Sequence, residues 1–212
     1  MYIPEAFRID DLRALRALVR AYPLGTLITA GGGGMQASPL PFQLDPAAGP
    51  QGALRAHMAR ANPQLDALRA GEECLVLFHG PQGYVSPSWY PSKRQHHKVV
   101  PTWNYAVVQV RGRAAVNENA TGLRDLLAEL TAEHEARRGP RWSPDEAPPE
   151  FLARMAQAIA GIEIAIDTIE GKFKLSQNRD AADRDAVISA LESGDDPHRN
   201  LELAEWIREF GA

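Results

Sequence analysis

A chain of 212 residues is long enough for one sizeable domain, and its composition is ordinary for a soluble globular protein. The net charge of −4 argues against broad, non-specific nucleic-acid binding, and the single cysteine, Cys74, excludes an internal disulfide framework. The first residues lack the apolar core of a signal peptide, and no segment stays apolar for the length of a membrane span. We therefore expect a cytoplasmic protein.

The N-terminal quarter predicts a helix followed by a β-hairpin. Asp10 is a good N-cap for the helix, which should end at Pro23. Residues 24–30 and 35–44 predict two strands, joined by a turn at the glycines of residues 31–34. These glycines do not form a phosphate-binding loop, because neither a helix nor a Gly-Lys-Ser/Thr sequence follows them.

The middle of the chain predicts three further strands. Residues 52–58 form the first, after which Asn62 should cap a short helix. Residues 74–79 form the second, which should break at Gly80-Pro81. Residues 102–116 form a long third strand with alternating faces.

The C-terminal half predicts helices interrupted by one long extended segment. The helices are expected at residues 121–137, 149–160, 180–191 and 200–210, and the extended segment runs over 162–167 towards 171–179. Strands joined mostly by hairpin-like returns, with helices as insertions, favour an antiparallel barrel. The chain is not a βαβ alternation, so a Rossmann-type nucleotide site is not expected.

Aromatic rings and cations are concentrated in residues 84–105, YVSPSWYPSKRQHHKVVPTWNY. No Asp or Glu occurs between Cys74 and Asn117, so an acidic protein carries a local positive field that calls for an anionic partner. Flat rings beside cations suit a ligand with both a ring system and a phosphate. The alternative interpretation is a proline-rich loop with ordinary core aromatics.

Six side chains of this stretch could hold such a ligand. Two hydroxyls can donate hydrogen bonds, one lysine can place its charge on a phosphate, and three rings could stack on or wall a ring system. These residues are Ser86, Thr102, Lys98, Trp89, Tyr90 and Trp103. Lys93 and Arg94 are expected at the solvated tip of the loop.

A second candidate segment is residues 55–63, RAHMARANP. Arg60 could bind a phosphate, because a guanidinium offers a fork of donors that matches phosphate oxygens. His57 and Asn62 lie beside it in the sequence. The alternatives are that Asn62 only caps a helix and that His57 is a satisfied surface or core histidine.

A third candidate segment is residues 171–179, GKFKLSQNR. Strand alternation puts Lys172 and Lys174 on one face, opposite two apolar side chains, with Gln177 beyond them. One face would then be core, and the other could meet an anion. The alternative is a solvated strand edge protected by lysines.

Metal binding and hydrolysis lack support in the sequence. The six histidines show no spacing of zinc type, and Cys74 has no partner cysteine. No nucleophile elbow of a Ser-His-Asp hydrolase occurs. We assign no metal and name no catalytic residue.

Five segments occur in the order found in the PaiB family, which the chain resembles from Met1 to about Leu191. They are MYIPEAF, HMARANP, YVSPSWY, KVVPTWNY and GKFKLSQNR. The resemblance implies an α+β, mainly β fold: an antiparallel split β-barrel with peripheral helices, related to pyridoxamine-phosphate oxidase. It also implies a homodimer with FMN at the subunit interface, and negative transcriptional regulation of genes for sporulation and degradative enzymes.

The resulting prediction is an FMN-binding split-barrel domain over residues 1–191 and a helical C-terminal tail over residues 192–212. The residues expected to bind FMN are His57, Arg60, Asn62, Ser86, Trp89, Tyr90, Lys98, Thr102, Trp103, Lys172, Lys174 and Gln177. Two alternatives stay open: an FMN-dependent oxidoreductase or haem-handling relative of the same superfamily, and a direct DNA-binding repressor. The sequence argues against direct DNA binding, since it shows no helix-turn-helix pattern and no basic helix.

Overall fold

The structure of the protein, a computed structural model, describes residues 1–32, 34–136, 139 and 141–211. The helices in these residues are α1 (Leu12–Ala21), α2 (Gln64–Arg69), α3 (Lys93–His96), α4 (Ala120–Glu135), α5 (Pro149–Gln157), α6 (Ala181–Glu192) and α7 (Leu201–Phe210). The strands are β1 (Arg8–Ile9), β2 (Leu24–Gly31), β3 (Gly34–Pro41), β4 (Gln43–Asp45), β5 (Ala53–Ala59), β6 (Glu73–Val85), β7 (Thr102–Asn117) and β8 (Ile159–Lys174). The predicted turn at residues 31–34, the predicted helix end at residue 137 and the end of the predicted tail at residue 212 fall partly outside the described residues.

The described strands belong to one sheet with the order β3-β2-β6-β7-β8-β5-β4, and β1 pairs with β8. The pairings β1–β8, β2–β3, β2–β6, β4–β5 and β5–β8 are antiparallel. The chain divides into two compact units, and β6, β7 and β8 contribute residues to both. The predicted domain division at residue 191 stays a prediction.

The first unit comprises Met1–Tyr22, Phe78–Gln109 and Glu170–Ala212. Helix α7 packs on the end of β8 in this unit, because the Phe173 ring lies 5.2 Å from the rings of both Trp206 and Phe210. This packing accounts for the apolar repeat seen in the sequence of the tail, since one stripe of an amphipathic helix must be buried.

The second unit comprises Pro23–Leu77 and Val110–Ile169. Leu54 of β5 lies opposite Ile164 of β8, and both side chains are fully buried. Helix α2 is tied to the β2–β3 hairpin through buried Gln64, whose Nε2 donates to the Leu27 carbonyl at 3.3 Å and to the Thr29 hydroxyl at 3.2 Å.

Two boundaries predicted near the N-terminus were wrong. The cap of α1 is Asp11 rather than Asp10, because Asp11 Oδ1 accepts a hydrogen bond from the Arg13 backbone N–H at 2.9 Å. That hydrogen bond also lowers the pKa of Asp11. The strand predicted over residues 35–44 is divided at Phe42, which is buried and whose N–H bonds outside the hairpin.

The predicted break at Gly80-Pro81 was also wrong, because β6 continues through it. A Cβ atom at Gly80 would lie 3.1 Å from Leu18 Cδ1 and 3.3 Å from Ala106 Cβ. The glycine therefore permits close packing inside a strand rather than a turn.

Candidate functional site

The end of β8 carries two lysines on one face. Phe173 and Leu175 are fully buried, whereas Lys172 and Lys174 are half-buried, which confirms the predicted alternation. Arg8 of β1 lies directly opposite Lys172 in the antiparallel register, so these two side chains share one side of the sheet. Three cations therefore lie together in the first unit.

Lys174 is held by a hydroxyl at the start of β7. Its Nζ donates a hydrogen bond to Thr102 Oγ1. Both residues were singled out in the sequence, and the structure brings them together although 72 positions separate them. An ammonium and a hydroxyl in contact are two of the groups that commonly bind phosphate oxygens.

Lys172 lies beside two tyrosine rings. Its Nζ is 5.4 Å from the centroid of the Tyr105 ring and 5.8 Å from that of the Tyr2 ring. Both distances are within the range of a cation–π interaction. Tyr2 is 83% exposed, so this arrangement faces solvent.

We call Tyr2, Arg8, Thr102, Tyr105, Lys172 and Lys174 the cationic face. Within the described part of the chain, none of its three cations forms an ion pair with a carboxylate. Glu170, two positions before Lys172 on the same strand, instead accepts a hydrogen bond from Gln109 Nε2 at 3.3 Å and forms an ion pair with the Met1 ammonium at 3.7 Å. The cationic face therefore carries positive charge that the protein itself does not neutralise.

A cluster of rings in the same unit joins the 84–105 stretch to the segment before α7. The Tyr84 ring lies 4.9 Å from the His198 ring and 6.2 Å from the Trp103 ring. The Trp89 ring lies 6.4 Å from that of His198, and Trp89 Nε1 donates to Asp196 Oδ2 at 3.0 Å. Trp103 Nε1 also has a protein partner, because it donates to Gln82 Oε1 at 2.5 Å, but Trp103 remains 48% exposed.

In the loop between β6 and β7, two polar side chains make hydrogen bonds within the loop itself. Ser86 caps a short 3-10 helix by accepting from the Ser88 N–H at 3.2 Å. Lys93, expected at a solvated tip, donates from Nζ to the Ser88 hydroxyl at 3.3 Å. Lys98 is exposed, and the ammonium that contacts Thr102 belongs to Lys174.

The same loop is anchored to α6 by buried polar groups. Asp183 accepts hydrogen bonds from the Ser92 N–H at 3.0 Å and from the Ser92 hydroxyl at 2.6 Å, and both residues are buried. The Tyr90 ring is 2% exposed and lies 4.6 Å below the Arg179 guanidinium. Burial raises the pKa of the Tyr90 hydroxyl. These contacts give Tyr90 a place in the core of the first unit.

A tight turn follows Lys174. Ser176 adopts a left-handed backbone conformation with φ of 68° and is buried, and its hydroxyl accepts a hydrogen bond from Asn104 Nδ2 at 2.8 Å. Gln177 closes the turn, because its Oε1 accepts from the Leu175 N–H at 2.7 Å and its Nε2 donates to the Phe173 carbonyl at 2.6 Å. The amide of Gln177 is therefore occupied within its own turn.

Arg60 and His57 belong to the second unit. The guanidinium of Arg60 donates to two backbone carbonyls, that of Ile159 at 2.8 Å and that of Glu118 at 3.0 Å. His57 is half-buried on β5, and its Nδ1 is buried without a hydrogen-bond partner in the described residues. Burial lowers the pKa of His57, because the charged imidazolium loses hydration.

Asn62, also in the second unit, ends the connection between β5 and α2. Its Oδ1 accepts from the Gln64 N–H at 3.0 Å, and its Nδ2 donates to the Ser38 hydroxyl at 3.2 Å. Asn62 thus satisfies a free N–H group at the start of α2, which is the capping role considered in the sequence.

Three members of the cationic face, Tyr2, Arg8 and Tyr105, were not singled out as ligands in the sequence. Tyr105 lies in the 84–105 stretch but was not among the six side chains selected there. Tyr2 lies in the N-terminal segment MYIPEAF, which did carry the family resemblance. Arg8 sits in a strand of two residues, too short to show any periodicity. The pairing of this N-terminal segment with β8 is what brings Tyr2 and Arg8 to Lys172. This pairing depends on the fold and is not visible in the sequence.

The first 168 residues match the model of a family described as "Putative FMN-binding domain". The chain belongs to this family. The match confirms the PaiB-type resemblance and FMN as the expected cofactor.

Three curated relatives resemble this chain over most or all of its length. An uncharacterized protein of Emericella nidulans is 35% identical over 247 residues, covering 100% of this chain and 98% of the relative. A Bacillus subtilis relative named "Protease synthase and sporulation protein PAI 2" is 32% identical over 212 residues, covering 99% and 97%. A Saccharomyces cerevisiae relative is 32% identical over 157 residues, covering 65% and 92%.

Solved structures share the fold of this FMN-binding family member. The flavocytochrome Anf3 of Azotobacter vinelandii superposes with a TM-score of 0.56 at 16% identity, over 79% of this chain and 69% of that one. An FAD and heme binding protein of Mycobacterium smegmatis gives a TM-score of 0.54 at 20% identity, over 79% and 73%. At these identities the likeness concerns the fold, and the predicted class, an antiparallel split β-barrel with peripheral helices, is confirmed.

Two further properties concern the described residues. No group of three or more His, Cys, Asp and Glu side chains there is arranged to hold a metal ion. No helix among them is long and apolar enough to span a membrane.

Proposed function

We propose that this chain is a homodimeric FMN-binding negative regulator of transcription, and that it binds the phosphate of FMN at the cationic face. The observation that carries the proposal is the uncompensated charge of Lys172 and Lys174 beside the Thr102 hydroxyl. Cations that lack an internal carboxylate partner favour an external anion. FMN is the anion that membership of the family supplies.

The donors of the cationic face fit a terminal phosphate. Lys174 has three N–H donors and spends one on Thr102, which leaves two for phosphate oxygens. Thr102 accepts that bond with its oxygen, so its own hydrogen remains available to donate. Lys172 adds a point charge, and the guanidinium of Arg8 adds planar donors that match phosphate geometry.

The rings beside these donors suit the isoalloxazine system of FMN. Tyr105 and Tyr2 flank Lys172. The half-exposed Trp103 lies two residues before Tyr105 on β7. Flat aromatic faces stack on a planar ring without requiring a particular hydrogen-bond pattern. We therefore propose Thr102, Trp103, Lys172 and Lys174 as the ligand-binding subset of the residues selected from the sequence.

The other selected residues have roles within the protein that compete with ligand binding. The hydrogen bonds of five of them involve no member of the cationic face; these five are Ser86, Trp89, Gln177, Arg60 and Asn62. Lys98 is exposed, and His57 Nδ1 and Tyr90 Oη are each buried without a hydrogen-bond partner in the described residues, so these three side chains remain candidates for contact with FMN.

The regulatory and dimeric parts of the proposal rest on two supports. One is the sporulation function that the name of the Bacillus subtilis relative carries, together with the family resemblance. The other is the pair of exposed apolar side chains Phe151 and Met155, which lie about one turn apart on α5. Exposed apolar side chains that lie close together are typical of surfaces that bind a partner chain.

Ligand titration tests the proposal directly. The flavin-free protein is titrated with FMN, riboflavin and FAD while flavin fluorescence is followed. We expect FMN to bind about 10- to 100-fold more tightly than riboflavin, since charge-assisted hydrogen bonds to the phosphate contribute roughly 1.5–3 kcal/mol. FAD should bind more weakly than FMN, because its phosphate is not terminal. Equal affinity for FMN and riboflavin would contradict the phosphate assignment, and failure to bind FMN would contradict the function.

A further inference from the structure

We infer that Ser176 and Asn104 are positioning residues for the phosphate site: they hold Lys174 in place against Thr102 and thereby set the affinity for FMN relative to riboflavin. The inference deepens the proposed function and rests on it, because it concerns the same cationic face. Neither residue belongs to the set that the sequence selected for ligand binding.

The first observation is the backbone of Ser176. Its φ of 68° lies in the left-handed region, where a side chain is strained and glycine is favoured. Among the described residues other than glycine, only His97 shares a positive φ, and His97 is exposed in a loop. Glycine at position 176 would relieve this strain. The serine side chain must therefore contribute something that glycine lacks.

The second observation shows what the serine contributes. Asn104 Nδ2 donates to the Ser176 hydroxyl at 2.8 Å, and the two residues are only 1% and 3% exposed. A buried amide needs such a partner, since an unsatisfied polar group in the core is destabilising. The bond therefore fixes the turn of β8 to β7 at one defined point.

The third observation is the position of this bond along the two strands. Asn104 follows Thr102 by two residues on β7, and Ser176 lies two residues beyond Lys174, the last residue of β8. β7 and β8 run in opposite directions here, since Tyr105 lies beside Lys172 and Gln109 beside Glu170. The Asn104–Ser176 bond and the Lys174–Thr102 bond therefore cross between the same two segments of the chain. A shift of β8 relative to β7 at Ser176 would carry Lys174 away from Thr102.

Gln177 keeps this turn folded independently of the Asn104–Ser176 bond. Its two hydrogen bonds, to the Leu175 N–H and the Phe173 carbonyl, close the turn without any help from Asn104. Loss of the Asn104–Ser176 bond should leave a folded turn that is less firmly fixed to β7. Small displacements of a positioned group are enough to weaken its interaction with a ligand.

The decisive variant is Ser176→Gly, with Ser176→Ala as its matched control. Both remove the hydroxyl, but only glycine also relieves the backbone strain. We expect both variants to lower the ratio of FMN to riboflavin affinity about tenfold, which equals about 1.4 kcal/mol. The flavin-free Ser176→Gly protein should unfold at a higher temperature than Ser176→Ala. Asn104→Ala should lower the ratio by a similar factor, because it removes the other partner.

A purely structural role predicts a different pattern, in which riboflavin and FMN affinities fall together as stability falls. Unchanged affinity ratios in all three variants would overturn the inference. Lys174→Met serves as the reference: if it leaves the ratio unchanged, the proposed phosphate site is itself wrong. If Lys174→Met lowers the ratio and Ser176→Gly does not, only the positioning role is refuted.

The double variant Ser176→Gly/Lys174→Met supplies the second test. When one residue acts through another, removing the second abolishes the effect of the first, so the double variant should show the ratio of Lys174→Met alone. A ratio lower by the full product of the two single effects would show that Ser176 acts independently of Lys174 and would overturn the inference.

Discussion

Removal of the Ser92 hydroxyl should destabilise the protein measurably, although Ser92 lies in a loop. The hydroxyl donates to Asp183 at 2.6 Å, and both residues are buried, so water cannot readily replace the lost donor. A hydrogen bond to a charged group contributes roughly 1.5–3 kcal/mol, and we take about 2 kcal/mol for Ser92→Ala. For a domain of this size, each kcal/mol shifts the melting temperature by about 2–4 °C, so we expect a decrease of about 4–8 °C.

Urea denaturation of the flavin-free protein measures this effect. The midpoint should fall while the slope of the free energy of unfolding against urea stays constant, because the surface exposed on unfolding does not change. Ser88→Ala is the matched control in the same loop. Ser88 is exposed, and its hydroxyl accepts a hydrogen bond from the half-buried Lys93, so the change should stay within about 0.5 kcal/mol. Equal stability of Ser92→Ala and Ser88→Ala would show that the buried hydrogen bond between Ser92 and Asp183 does not stabilise the protein.

Three further predictions concern the loop, pH and assembly. Lys98→Ala and Lys93→Ala should each lower the affinity for FMN less than Lys174→Met does, and fluorescence titration of the three variants checks this. A larger loss of affinity with Lys98→Ala would show that the loop between β6 and β7 binds the phosphate. Burial lowers the pKa of His57, so the unfolded state binds the proton more readily than the folded state, and the stability contribution of neutral His57 is lost as pH falls below its ordinary pKa. His57→Gln should therefore lose less stability than wild type between pH 7 and pH 5, as measured by urea denaturation. An identical loss in the two proteins would contradict this prediction. Light scattering of the FMN-bound protein at micromolar concentration should give the mass of a dimer, and a monomer mass would contradict the dimeric part of the proposal.

The helices of the C-terminal part were predictable because their signals are local. Asp180 accepts a hydrogen bond from the Asp183 N–H at 2.7 Å, and Asn200 accepts one from the Leu203 N–H at 3.0 Å. A capping side chain followed by an apolar repeat is visible in the sequence without any knowledge of the fold. Both helices consequently begin within a residue of the prediction.

Gly80 shows why other boundaries were not predictable. A glycine followed by proline usually marks a turn, yet here the glycine serves the close approach of Leu18 and Ala106. Both neighbours are distant in sequence. Whether a glycine breaks a strand or admits a neighbour depends on tertiary packing, which the local sequence does not encode.

The cationic face was half predictable for a related reason. Period-two alternation identified Lys172 and Lys174 as neighbours on one face, and the structure agrees. Their meeting with Thr102 depends on which residues of β7 and β8 lie side by side, and side-chain alternation within one strand does not determine the register between two strands. Lys98 is close to Thr102 in sequence, yet Lys98 is exposed and the ammonium that contacts Thr102 belongs to Lys174.

The ratio of FMN to riboflavin affinity in the Lys172→Met/Lys174→Met double variant tests the central claim most directly. Riboflavin has the same ring system and lacks only the phosphate, so it reports any indirect damage to the ring site. The double variant should lose the preference for FMN and bind both ligands with nearly the riboflavin affinity of the wild type. A double variant that keeps the full wild-type preference for FMN would show that the phosphate does not bind at the cationic face.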